Sequence, residues 1–137
     1  MWKNKAAILS LPKIVDPRGN LTVAEQANGV PFAINRVYWT YDIPAGEGRG
    51  GHAHKACEEI IIAVSGSFDV TLDNGKERKT FHLNHPYQGL YVGVGVWRTL
   101  DDFSSGSVCL VLASHEFDED DYIRDYDEFL SYTQCSK

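Results

Sequence analysis

The chain has 137 residues, 43% of them hydrophobic and 23% charged, with a net charge of -6 and a pI near 5.2. This is the balance of one globular domain, spanning residues 1–137, with a sizeable core. The acidic total argues against general nucleic-acid or membrane-surface binding, which needs a basic footprint, but leaves room for one anionic small molecule held by a few arginines.

Strand candidates separated by turn residues run from the beginning to about residue 115, the pattern of a β-sandwich or barrel. Residues 6–14 and 21–25 come first, divided by the strong turn signal Asp16-Pro17-Arg18-Gly19-Asn20. After a turn at Asn28-Gly29, residues 36–41 alternate, with Val37, Trp39 and Tyr41 on one face and Arg36, Tyr38 and Thr40 on the other. Trp39 is expected in the core. A glycine-rich loop carrying Arg49 leads into a strand bearing His52 and His54. Residues 68–72 read as a half-buried strand, Asp73-Asn74-Gly75-Lys76 as a hairpin turn, and 77–83 as a polar return strand near the surface. Residues 90–94 and 96–100 are strands broken by Gly93 and Gly95, and 108–114 is an apolar core strand. Beyond it, Glu119-Asp120-Asp121 precede Ile123, Tyr126 and Leu130 at helical spacing. That predicts one short C-terminal helix, with the acidic run as its solvated start at the positive end of the dipole.

No apolar run approaches the length of a membrane span. Met1-Trp2-Lys3-Asn4-Lys5 leads into too short an apolar stretch for a secretory leader. The three cysteines, Cys57, Cys109 and Cys135, are odd in number and widely spaced, and form neither a zinc pattern nor a disulfide framework. A reducing cytoplasm is the expected compartment.

The chemistry concentrates in residues 46–66, GEGRGGHAHKACEEIIIAVSG. His52 and His54 are two apart, so in a strand both imidazoles share a face and Ala53 takes the other. Glu58 and Glu59 must point to opposite faces, the inward one toward a histidine. The run Gly, five residues, His-x-His, four residues, Glu, six residues, Gly matches the first signature of the cupin barrels. In metal-binding cupins the two histidines and the carboxylate hold a divalent cation, joined by a histidine from a second signature. Here that signature falls in GLYVGVGVWRTL, residues 89–100, and Arg98 stands at the ligand position. Arginine only donates and is always cationic, so it repels a metal. The remaining trio of His52, His54 and Glu59 leaves a three-ligand site open. Without metal, two neutral imidazoles form an acid–base set that titrates near neutral pH. Tyr38 offers a phenol beside them. Arg49, Arg18, Arg36 and Arg98 are candidate phosphate ligands, since the guanidinium fork suits phosphate oxygens. His82, His85 and His115 lie outside any paired pattern and are surface candidates.

The string Arg49-Gly50-Gly51-His52-Ala53-His54-Lys55 is more specific than the general signature. Taken with Arg36-Val37-Tyr38-Trp39, Gly89-Leu90-Tyr91-Val92-Gly93, Val96-Trp97, Asp102-Phe103-Ser104-Ser105, Val111-Leu112-Ala113-Ser114 and Asp121-Tyr122-Ile123-Arg124, it resembles the sugar 3,4-ketoisomerase family of cupins over residues 14–129. The resemblance implies an all-β fold, a small cupin jelly-roll barrel with a short C-terminal helix. It implies action on dTDP-4-keto-6-deoxy-D-glucose, moving the ketone from C4 to C3, with no cofactor and no catalytic metal. The product would feed an aminotransferase on the way to 3-amino-3,6-dideoxy sugars of surface glycans. It also implies a homodimer with exchanged N-terminal strands, in the cytoplasm, with neither nucleic acid nor membrane as partner. The family's site falls on His52, His54 and Tyr38 as catalytic residues. Arg49, and Arg18 in its Asp-x-Arg-Gly turn, fall in its substrate-binding region; Arg36, Arg98, Trp97 and Tyr91 are further substrate-binding candidates of this sequence. Three rival readings stay open: a nucleotide-sugar 3,5-epimerase, a metal-dependent dioxygenase or isomerase, and a non-catalytic sugar-binding cupin.

Overall fold

The computed structural model describes residues 5–135, so the reading of Met1 to Asn4 and of the Cys135 side chain lies outside it. The first half of the chain supplies β1 (Ala6–Ser10), β2 (Lys13–Ile14), β3 (Leu21–Thr22), β4 (Arg36–Thr40), β5 (Arg49–His54) and β6 (Glu59–Ser65). The second half supplies β7 (Phe68–Asp73), β8 (Arg78–Leu83), β9 (Gln88–Val92), β10 (Trp97–Asp101) and β11 (Val108–Ala113). A 3₁₀ turn at Glu119–Asp121, β12 (Tyr122–Ile123) and α1 (Tyr126–Cys135) complete it. The expected strand over 6–14 is two strands, because Pro12 has no N–H to give a ladder and the chain bends there.

Two five-stranded antiparallel sheets face each other, in the orders β1-β9-β6-β11-β4 and β12-β5-β10-β7-β8. Alternation decides what lies between them. Ile61, Ala63, Leu90, Val92, Cys109 and Val111 point inward from the first sheet. Phe68, Val70, Leu72, Leu83 and Leu100 meet them from the second. The first sheet also buries its outer face, where Ile60, Ile62 and Leu112 pack under Leu11, Val30 and Phe32 of the N-terminal segment. The outer face of the second sheet is covered by the C-terminal helix, with Phe129 against Ala53, Trp97 and Ile123. This is the cupin sandwich expected from the sequence.

Two expectations are corrected here. Trp39 is not a core residue: it is 57% exposed on the outer face of the edge strand β4, beside exposed Val37 and, just past the strand's end, exposed Tyr41. The C-terminal helix begins only at Tyr126, with Asp125 capping it through the Glu128 N–H at 3.0 Å. Ile123, counted in the helical spacing, is a strand residue. β5 would otherwise leave an open edge, and Tyr122 and Ile123 fill it by pairing with His54 and Ala53.

Candidate active site

The histidine strand and its neighbour β10 form one wall of a cavity of about 270 Å3 between the sheets. Arg98 pairs with His52 in register, and both side chains point inward. Next to them the register slips, so that Thr99 faces Gly50. Gly50 and Gly51 absorb this bulge with φ of +92° and +66°, backbone that other residues adopt only at a cost. A regular strand would put residues 49 and 52 on opposite faces. The bulge brings Arg49 and His52 to the same cavity.

The floor is a buried charge network. Glu59 and Arg98 are each 1% exposed, and Arg98 Nη1 donates to Glu59 Oε1 at 2.7 Å. The Tyr38 hydroxyl donates to Glu59 Oε2 at 2.8 Å. Burial first, then the neighbouring Glu59 carboxylate, pushes the Tyr38 phenol far up, so it keeps its proton. Arg98 Nη2 reaches the Val96 carbonyl at 3.0 Å. The inward glutamate is thus Glu59, but its hydrogen bonds go to Tyr38 and Arg98. His54 Nε2 is 3.6 Å from it, beyond a good hydrogen bond. Glu58 faces the other way and accepts from the Tyr91 hydroxyl at 2.5 Å.

His52 is half-buried and lines the cavity, while His54 sits behind it, fully covered. Their rings meet edge to face at 4.8 Å, and the Tyr122 ring lies 5.2 Å from one and 4.4 Å from the other. Burial, the Arg98 charge and the second imidazole together push His52 down to about 3. Burial and Arg98 also lower His54, against the pull of Glu59 and Asp121. Both rings are therefore neutral proton acceptors at neutral pH, and Nε2 of each is buried with no hydrogen-bond partner among the described residues.

One nitrogen of each histidine and an oxygen of Glu59 lie within 4.8 Å of one another, the trio foreseen as a three-ligand site. The donor set fits a resident cation poorly. Its carboxylate is already held by a guanidinium, and that buried positive charge would sit beside any metal.

Of the candidates named from sequence, Arg36, Tyr38, Arg49, His52 and Arg98 line the cavity. Arg18 does not: its side chain is 90% exposed, and it forms an ion pair with Asp16 at 2.9 Å in the β2–β3 turn. Tyr91 faces the N-terminal segment, because its neighbours Leu90 and Val92 take the inner face. Trp97, next to inward Arg98, packs outward against Tyr126 and Phe129. Sequence reasoning missed Tyr122 and Arg124, which line the same cavity. Arg124 is aimed there by two bonds to Glu119, at 2.7 and 2.9 Å. It also missed Asp121, which it left in a solvated helix start; the Asp121 carboxylate is 2.8 Å from His54 Nδ1. His82 is an exposed partner of Asp69.

The family model FdtA, described as WxcM-like, C-terminal, matches residues 4–134. A TDP-4-oxo-6-deoxy-alpha-D-glucose-3,4-oxoisomerase of Aneurinibacillus thermoaerophilus is 45% identical over 125 residues, 91% of this chain and 90% of that protein. The WlaRB TDP-quinovose 3,4-ketoisomerase of Campylobacter jejuni superposes with a TM-score of 0.87 at 46% identity, covering 92% of this chain and 97% of that one. A histidine-to-asparagine variant of the 3,4-ketoisomerase QdtA from Thermoanaerobacterium thermosaccharolyticum, in complex with TDP-4-keto-6-deoxyglucose, superposes at 0.93 with 38% identity, covering 96% and 95%. The family that the His-x-His string and its companion motifs resemble is the one these relatives represent, and the chain belongs to the FdtA family.

Proposed function

We propose that the protein is a TDP-sugar 3,4-ketoisomerase that converts TDP-4-keto-6-deoxy-D-glucose to its 3-keto isomer by acid–base catalysis without a metal. The likeness to 3,4-ketoisomerases over nearly the whole chain supports the substrate and the reaction. The single observation that carries the mechanism is the pair of neutral imidazoles set against a buried Glu59–Arg98 pair. The C3 proton of a 4-ketosugar is acidic because the adjacent carbonyl stabilises the carbanion as an enolate. His52, on the cavity wall, takes that proton. The C4 oxygen gains a proton, giving an enediol across C3 and C4. Loss of the O3 proton and return of a proton to C4 then yield the 3-ketone. Developing charge on the oxygens meets the Arg98 guanidinium on the cavity wall and the Tyr38 phenol, whose hydroxyl turns from Glu59 to the substrate. Arg36, Arg49 and Arg124 line the same cavity and suit the diphosphate of the nucleotide.

The product of such a reaction is a substrate for amination at C3, which fits the synthesis of 3-amino-3,6-dideoxy sugars of surface glycans in the cytoplasm. Incubation with TDP-4-keto-6-deoxyglucose and product NMR tests the reading. A ketone at C3 supports it. An inverted centre at C5 supports the epimerase reading, and unchanged bound sugar supports a non-catalytic binder.

A homodimer completes the proposal. Val37, Trp39 and Tyr41 on the β4 edge, and Ile14, Val15 and Leu21 on the β2–β3 hairpin, are exposed apolar side chains of the kind a partner covers. β1 pairs with β9 of its own chain here, and in the exchanged dimer the partner's β1 takes that place. Light scattering is expected to give twice 15.3 kDa; a monomer at tens of micromolar contradicts it.

A further inference from the structure

We propose that Asp121 is a positioning residue for the isomerisation inferred above: it fixes His54 as the Nδ1–H tautomer and so keeps Nε2 as the bare, proton-accepting nitrogen beside Glu59, directly behind His52. The inference rests on that functional reading for its kinetic part only.

Asp121 stands on the side of His54 away from Glu59. Three donors converge on its two oxygens. Oδ1 accepts the Ala56 N–H at 2.6 Å, and Oδ2 meets His54 Nδ1 at 2.8 Å and the Cys57 N–H at 3.3 Å. The backbone is fixed as well, by the Tyr122–His54 pairing and by the Lys55 N–H donating to the Asp121 carbonyl at 3.0 Å. Burial alone would raise the Asp121 carboxyl, but the bonds from His54 and Ala56 outweigh it and hold it below the usual range. An ionised carboxylate only accepts, so the neutral ring must carry its hydrogen on Nδ1. That leaves Nε2 with a lone pair and no partner, 3.6 Å from Glu59 Oε2. When Nε2 takes a proton, the resulting imidazolium lies between two carboxylates.

Asparagine at this position has one acceptor and one donor. If its oxygen stays on the short Ala56 bond, giving up the longer Cys57 bond at 3.3 Å, its NH2 faces His54 Nδ1. The ring must accept there and move its hydrogen to Nε2, on the side of the Glu59 carboxylate 3.6 Å away. The substitution therefore inverts the tautomer while keeping size and packing. The Cys57 sulfur lies within 4.8 Å of the same two groups. A soft cation held by the three would displace the Nδ1 proton, and that is the rival to be tested.

The experiment compares histidine-15N-labelled wild type and Asp121→Asn by long-range 1H–15N correlation, with steady-state kinetics, TDP binding and thermal unfolding on the same samples. The expected result is Nδ1–H in wild type and Nε2–H in the variant, with kcat down by about 10²–10⁴-fold and KM changed by less than about threefold. A wild-type His54 protonated at Nε2, or an Nδ1 signal that moves when chelator is added, overturns the proposal. So does an inverted tautomer with normal kcat, or a slow variant whose tautomer is unchanged. If the wild type turns over no ketosugar, the functional reading fails, and the tautomer comparison by itself still decides the role of Asp121.

Discussion

His52→Asn is expected to lower turnover by ~10²–10⁴-fold while TDP binding stays within about threefold of wild type. His52 is the imidazole that lines the cavity, and among the described residues no hydrogen bond occupies its Nε2. Asparagine keeps a polar group of similar reach but cannot take a proton at neutral pH. The arginines that suit the diphosphate, Arg36, Arg49 and Arg124, are untouched. The pH profile of the wild type gives a second check. A base works in its unprotonated form, and burial, Arg98 and His54 push His52 down to about 3. The base is then already neutral at pH 5, and kcat/KM should stay level between pH 8 and pH 5 rather than fall near the ordinary histidine value. Stability moves the other way. The unfolded chain protonates His52 below about 6.5 and the folded one does not, so stability is complete above that pH. It is lost as pH falls toward 3, at up to about 1.4 kcal/mol per pH unit. Stopped assays at each pH, with unfolding followed in parallel, separate the two effects. A normal rate in His52→Asn, or an acid limb near 6.5 in the wild type, would refute the assignment.

Glu59→Ala is expected to cost about 3–5 kcal/mol and to lower Tm by roughly 10–20 °C. The reason is not the strength of the ion pair. Arg98 is 1% exposed, and Glu59 is the one carboxylate among the described residues that holds it. Removing the carboxylate strands a guanidinium that cannot deprotonate, and also frees the Tyr38 hydroxyl. Glu59→Gln keeps one acceptor and should fall between. Removing both charges, as in Glu59→Ala with Arg98→Leu, should recover part of the loss, because neither partner is then left alone. Urea unfolding of wild type, Glu59→Ala, Arg98→Leu and the double variant closes the cycle. A Glu59→Ala protein as stable as wild type would mean that Arg98 finds water or another anion, and that the floor is not closed.

Much of this was legible in the sequence, for reasons of period. Two histidines two apart must share a strand face, and the cation at the fourth cupin position is the guanidinium that the structure pairs with Glu59. The same period could have removed two candidates. Arg98 and Trp97 are adjacent, so only one can face inward. Tyr91 stands between Leu90 and Val92, whose apolar side chains take the core face. Arg49 and His52 are the converse case: strict alternation separates them, and only the glycine bulge brings them together. The segment after residue 115 carried no such signal. Asp121, Tyr122 and Arg124 reach the site because β12 pairs with β5, far away in sequence. Locally the stretch reads as an acidic helix start, and Ile123 falls on the helical period by coincidence.

The most direct test is the conversion itself, followed by NMR in deuterated water with metal-analysed protein, with and without chelator. Formation of the 3-ketone at the same rate in both samples, with deuterium at the exchanged carbon, is the predicted result. Persistence of the 4-ketone, or a rate that collapses with chelator and returns with a divalent ion, would contradict a reaction run by two neutral imidazoles over a fixed guanidinium.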